Sequence, residues 1–69
     1  MKIVYSKDVD AIYIEFLPGA ISESDSISEN IIIDYNEEGK IVGIEILNAS
    51  KYMDVSKPLE VNNLTVEVK

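Results

Sequence analysis

The chain has no Cys, no His and no Trp, and its 6 basic residues are all Lys. Without Cys there are no disulfides, and without Cys and His the usual zinc and iron–sulfur ligand sets are missing, which leaves only oxygen ligands for a metal. A nucleophile would have to be Ser or Thr with Lys as its base, or the chemistry would rest on paired carboxylates. The 13 acidic residues give a net charge of -7, which repels phosphate backbones and anionic lipid surfaces, so neither nucleic acid nor membrane is an expected partner. Long apolar runs are also absent: nothing approaches the ~18 residues of a membrane span. Met1–Tyr5 runs into Ser6, Lys7 and Asp8 too early for a signal-peptide core, so a cytoplasmic location is expected. The 69 residues read as a single small domain, 1–69. At that size folding hides only about 60% of the unfolded chain's surface, so a partner subunit would help stability.

What is present is mostly strand. Asn30–Leu47 contains the largest share of aliphatic side chains and the clearest turn signal. Two β-branched runs, Ile31–Ile33 and Ile41–Ile46, flank Asn36-Glu37-Glu38-Gly39, where Asn suits the first turn position and Gly a left-handed backbone. Two registers compete. A Gly39 bulge after a type I turn sets Tyr35 opposite Ile41 and puts apolar residues on both faces. A four-residue loop instead pairs Ile33 with Val42, gathers Ile31, Ile33, Val42, Ile44 and Ile46 on one face and leaves Asp34, Ile41, Gly43 and Glu45 on the other. Turn chemistry favours the first and the binary pattern favours the second, which we prefer.

Around this hairpin, Lys2–Tyr5 reads as a short strand and Ala11–Phe16 as a half-buried one with Ile12, Ile14 and Phe16 on one face. Pro18-Gly19 ends it. Residues 20–29 allow a water-facing edge strand guarded by Glu23, Asp25 and Glu29, or a loop. After Leu47, Asn48 or Ser50 is placed to cap one short helix, Pro58 lies beyond it, Asn62-Asn63 marks a turn, and Leu64–Val68 alternates as a closing strand. The expected fold class is α+β: mainly an antiparallel β-meander of four or five strands, with one short helix after the central hairpin.

Three constellations could carry chemistry. Asp34, Asn36, Glu38 and Glu45, with Gly39 at the sixth position and Ile41 at the eighth, reproduce much of a calcium-loop spacing. The flanking segments are β-branched rather than helical, so the spacing reads as a polar hairpin turn. Asp34 and Glu45 form the one candidate carboxylate pair, and on an exposed sheet face such a pair ordinarily serves solubility. Ser50-Lys51 are sequence neighbours, which point in different directions on a helix and do not make a dyad. Tyr5, Tyr13, Tyr35 and Tyr52 are core, rim or recognition residues.

Taken together, Tyr5, Asp10-Ala11-x-Tyr13-Ile14, Ile33-Asp34-Tyr35 with Gly39, Val42-Gly43-Ile44-Glu45-Ile46-Leu47 and Ala49-Ser50 resemble the pattern of the prokaryotic family called domain of unknown function 2283, over about Tyr5 to Lys51. The family usually has an acidic residue where Asn36 stands, which weakens a shared metal site. No activity is established for the family. Some members look like the small partner beside a toxin-like protein, which implies an antitoxin-like role. From the residues themselves we expect a non-enzymatic, acidic protein-binding module with no cofactor and no catalytic or metal-ligating residue. It would mask a basic surface and form a homodimer to cover aliphatic area, with Tyr13, Tyr35, Asp34 and Glu45 as candidate interaction residues. The alternative is a small metal-dependent enzyme or metal-binding domain using Asp34 and Glu45.

Overall fold

The computed structural model describes residues 1–55 in full and, beyond them, the backbone at 60–61, 64–65 and 67–68. The strands are β1 (Lys2–Ser6), β2 (Ala11–Glu15), β3 (Glu23–Ser26), β4 (Ile31–Tyr35), β5 (Ile41–Leu47), β6 (Glu60–Val61), β7 (Leu64–Thr65) and β8 (Glu67–Val68). Five of them form an antiparallel sheet in the order β3-β4-β5-β2-β1, β8 adds in parallel beyond β1, and β6 pairs with β7. The sheet is two hairpin-built pieces, β1-β2 and β3-β4-β5, joined where β2 lies against β5.

Both features that competed in the sequence are present in the β4-β5 hairpin. Near the turn, Gly39 has φ +79° and its N–H donates to the Asn36 carbonyl, while Asn36 Oδ1 accepts from the N–H groups of Glu38 and Lys40. This is the turn-plus-bulge arrangement, and Tyr35 faces Ile41 as it requires. One residue further on the register shifts: Asp34 faces Gly43, Ile33 faces Ile44 and Ile31 faces Ile46, which leaves Val42 without a β4 counterpart. The expected pairing of Ile33 with Val42 is therefore not formed. Its purpose is met by the second irregularity, because a one-residue slip exchanges faces and places Ile31, Ile33, Ile44 and Ile46 together, with Asp34, Gly43 and Glu45 opposite. Val42 is 1% exposed, and its carbonyl accepts the N–H groups of both Phe16 and Leu17.

Cross-strand pairs extend the aliphatic face. Ile3, Ile14, Ile44 and Ile33 lie in one row, and Tyr5, Ile12, Ile46 and Ile31 in the next. The second row is the core: Tyr5, Ile12 and Ala49 are buried together, with Met53 and Val55 packed against them. The opposite face carries Val4, Tyr13, Glu45 and Ile32 in one row and Glu15, Gly43, Asp34 and Ser24 in the next. β3 is a genuine strand, paired with β4 and exposed at all four residues, as the edge-strand reading expects.

The short helix is the part of the α+β expectation that does not form. Among the described residues only one 3-10 turn, Ala49–Lys51, interrupts the strands, so the fold is mostly β. Neither candidate cap acts as one. Asn48 sits at φ +54° and its Nδ2 donates to Asn30 Oδ1, while the Ser50 hydroxyl donates to Asp10 Oδ2 at 2.7 Å. With both side chains engaged elsewhere, neither caps the segment from within; its first N–H groups are taken by Asp10 instead, and it closes after one turn. The expectations for Pro58 and for a turn at Asn62-Asn63 lie outside the described residues. The expected closing strand is divided between β7 and β8.

Asp10 fixes this turn over the core. It occupies a left-handed position, φ +52°, which Asp tolerates better than most residues. Its carbonyl accepts the Ala49 N–H at 2.9 Å, and its carboxylate accepts from the Tyr5 hydroxyl at 2.9 Å and from the Ser50 N–H and hydroxyl. The bonds from Ser50 and then Tyr5 hold its carboxyl below the usual range. A depressed carboxyl stabilises the fold above its unfolded pKa of about 3.8 and loses that contribution as pH falls through the folded value. Asp10→Ala should therefore lower the thermal midpoint at pH 7 and flatten the acid limb of the stability curve. Asp10→Asn, which keeps the backbone preference and part of the hydrogen bonding, should lose less. Circular dichroism melts from pH 2 to 7 check both.

Candidate functional site: a carboxyl pair beneath Tyr13

On the face opposite the core, glycine makes the site possible. A Cβ at Gly43 would lie 2.8 Å from Tyr13 Cε1 and closer still to Cζ and the hydroxyl, so the Tyr13 ring occupies the space a side chain would fill. Gly43 is the cross-strand partner of Asp34, and the ring end therefore lies beside Asp34, which is fully buried. A buried carboxyl needs partners. Oδ1 accepts the Ser24 hydroxyl at 2.5 Å from β3, while Oδ2 has no protein donor.

Glu45 lies on the same face, one residue pair along β5 from Gly43. Its interaction with the Asp34 carboxyl first, then burial and the charge of Asp34, raise the Glu45 carboxyl to about 7. Tyr13 is raised as well, by burial and by Asp34, Glu15 and Glu45 in that order. It stays a neutral phenol that covers the pair.

The four candidate interaction residues do not form one patch. Tyr13, Asp34 and Glu45 come together, with Asp34 beneath the surface and so closed to a partner. Tyr35 pairs with Glu23 and Ile41 and alternates to the other face. Tyr5 is core and Tyr52 is exposed at the rim, its hydroxyl accepting from Asn30 Nδ2. The calcium-loop spacing is split between β4 and β5, and Asn36 Oδ1 is occupied by backbone N–H groups. Among the described residues no three acidic, His or Cys side chains converge to hold a metal ion. Cavities of about 470, 360 and 300 Å³ are lined by neither Tyr13, Asp34 nor Glu45; Tyr35 borders the last. Sequence reasoning missed the Asp10–Ser50 latch and the Tyr13–Gly43 fit. Their only signal is an Asp before a strand, a Gly inside one and a Ser after one, and nothing local links the three.

These features define a mostly β domain built on an antiparallel sheet, aliphatic on one face and carrying the Asp34 and Glu45 carboxyls on the other. The chain belongs to the family of proteins of unknown function DUF2283, which it matches over residues 2–50. It is also 42% identical over 57 residues to an uncharacterised protein of Methanocaldococcus jannaschii, an alignment covering 83% of this chain and 48% of that protein. The chain thus spans about half the length of that curated relative. No solved structure matches it. No helix among the described residues is long and apolar enough to cross a membrane.

Two predictions follow from the site's physics. Glu45 has a folded pKa above its ordinary 4.5, so its contribution is complete below about 4.5 and is lost as pH rises through about 7. Discounted for its half-buried position, the loss is about 1–2 kcal/mol. Glu45→Gln keeps a donor and removes the charge, and should flatten that alkaline decline in urea-unfolding free energies measured from pH 5 to 8.5. Gly43→Ala should displace the Tyr13 ring, cost about 1–3 kcal/mol and increase quenching of tyrosine fluorescence by iodide, whereas the same change in a Tyr13→Leu background should quench no further.

Proposed function

We propose that the chain is a non-enzymatic protein-binding module of the cytoplasm that uses its carboxylate-bearing face to cover a basic surface on a larger partner, in the manner of an acidic antitoxin on a ribonuclease. The observation that carries this reading is the arrangement of Tyr13 above the Asp34–Glu45 pair, with Glu15 alongside. Tyr13 offers a half-buried aromatic ring at the centre of the face, the kind of residue that contributes most at interface centres. Around it, a chain of net charge -7 with no Arg favours encounter with Lys- and Arg-rich surfaces. A cationic side chain settling beside Glu45 replaces the proton there, so binding releases a proton. The reading as a metal-dependent enzyme has less support, since the described residues offer no third ligand beside Asp34 and Glu45.

The test uses the purified product of the gene adjacent to this one, titrated with the chain by calorimetry. Expected results are an affinity that falls with added salt, rises between pH 6 and 8, and drops about tenfold or more in Tyr13→Ala. Absence of binding at low salt, or binding indifferent to salt and to Tyr13, would remove the proposal.

A further inference from the structure

We infer that the aliphatic face of the sheet is the interface of a two-fold homodimer, the second copy covering Ile14, Ile33 and Ile44 and the adjoining groove. Among the described residues, the cover for this face is partial. The 3-10 turn and the residues after it lie over Tyr5 and Ile12, at one end of the face. Ile14, Ile33 and Ile44 are only partly buried in the middle of a sheet, Ile14 against the Tyr5–Ile12 cluster, where a second layer would ordinarily complete their burial. Beside them, Ile31, Ile46, Met53 and Tyr52 line an apolar groove of about 360 Å³, with Ser28 and Asn30 at its rim.

Two quantities point to a second copy as the occupant. The first is area. The chain presents 4942 Å² to solvent, whereas a compact monomer of 7.7 kDa presents about 4,300 Å². The excess of about 600 Å² approaches the ~800 Å² that each partner contributes to a standard interface. The chain is also flat, 19 Å in the thinnest direction against 36 Å in the longest.

The second is charge. Two copies that each carry -7 repel one another unless the surfaces that meet are neutral. The rows Ile3-Ile14-Ile44-Ile33 and Tyr5-Ile12-Ile46-Ile31 carry no formal charge, and on β3 Glu23 and Asp25 enter only at the edge. The other face brings Glu15, Asp34 and Glu45 together and would oppose its own copy. Self-association therefore uses the aliphatic face and leaves the carboxylate face open. A closed two-fold pair buries the same residues on both subunits and needs no second kind of surface.

Light scattering on a sizing column at micromolar concentration should give twice the 7.7 kDa chain mass. Ile33→Lys should be monomeric and Ile32→Lys dimeric, since Ile32 is next to it on β4 but faces the other way. Because a lysine on this face could unfold the chain, a milder pair complements it in a protein free of Cys. The thiol of Ile33→Cys should react with a maleimide at least tenfold faster on dilution below the dimerisation range, and that of Ile32→Cys should react equally fast at both concentrations. A monomeric mass for the wild-type chain overturns the inference. So does dissociation by Ile32→Lys with none by Ile33→Lys, or Ile33→Cys reactivity independent of concentration.

Discussion

The one-residue shift at Val42 decides what each face of the sheet carries. A tight turn with Gly39 in the left-handed region fixes Tyr35 against Ile41, and continuing that register would distribute isoleucines over both faces. The bulge exchanges the faces of everything beyond it. Ile31, Ile33, Ile44 and Ile46 collect on the side where Tyr5, Ile12 and Ala49 form the core, while Asp34, Gly43 and Glu45 take the other side. Local turn geometry and global amphipathicity are thus reconciled by one unpaired residue, which is itself almost fully buried.

Each face then solves its own problem with a long-range polar contact. On the aliphatic side, Asp10 reaches 40 residues along the chain to Ser50 and keeps Ala49 over Tyr5 and Ile12. On the polar side, the missing side chain of Gly43 lets Tyr13 lie low over Asp34, and Asp34 first, then burial, raise the Glu45 carboxyl to about 7. Both arrangements use residues that carry the family resemblance: Tyr5, Asp10, Tyr13, Asp34, Gly43, Glu45, Ala49 and Ser50. Most of these are poor choices by strand propensity and good ones for the contacts they make.

Much of this fold was legible because a period of two is a local signal. The alternation in Ala11–Glu15, the β-branched runs on either side of Asn36–Gly39 and the acidic residues of 23–29 each announce their element within a few positions. The short helix was misread for the opposite reason. Asn48 and Ser50 are good capping types, and only their partners Asn30 and Asp10, distant in sequence, take them out of that role. The pairing of Asp34 with Glu45 was visible as spacing across a hairpin. Its depth was not, because burial comes from Tyr13 on a third strand and from a glycine whose importance lies in what it lacks. Tyr35 could not be separated from Tyr13 without the register, and two irregularities close together are beyond what a pattern of alternation can place.

The two sides of the sheet end differently, and this governs how far it can grow. At one edge β8 already lies against β1; at the other β3 runs for four residues with Glu23 and Asp25 along it. A second copy pairing β3 against β3 would bring its acidic residues against these, so edge-to-edge joining through β3 is disfavoured. Material added to this sheet meets a charged terminus at β3, and low ionic strength is the condition under which that terminus acts most strongly.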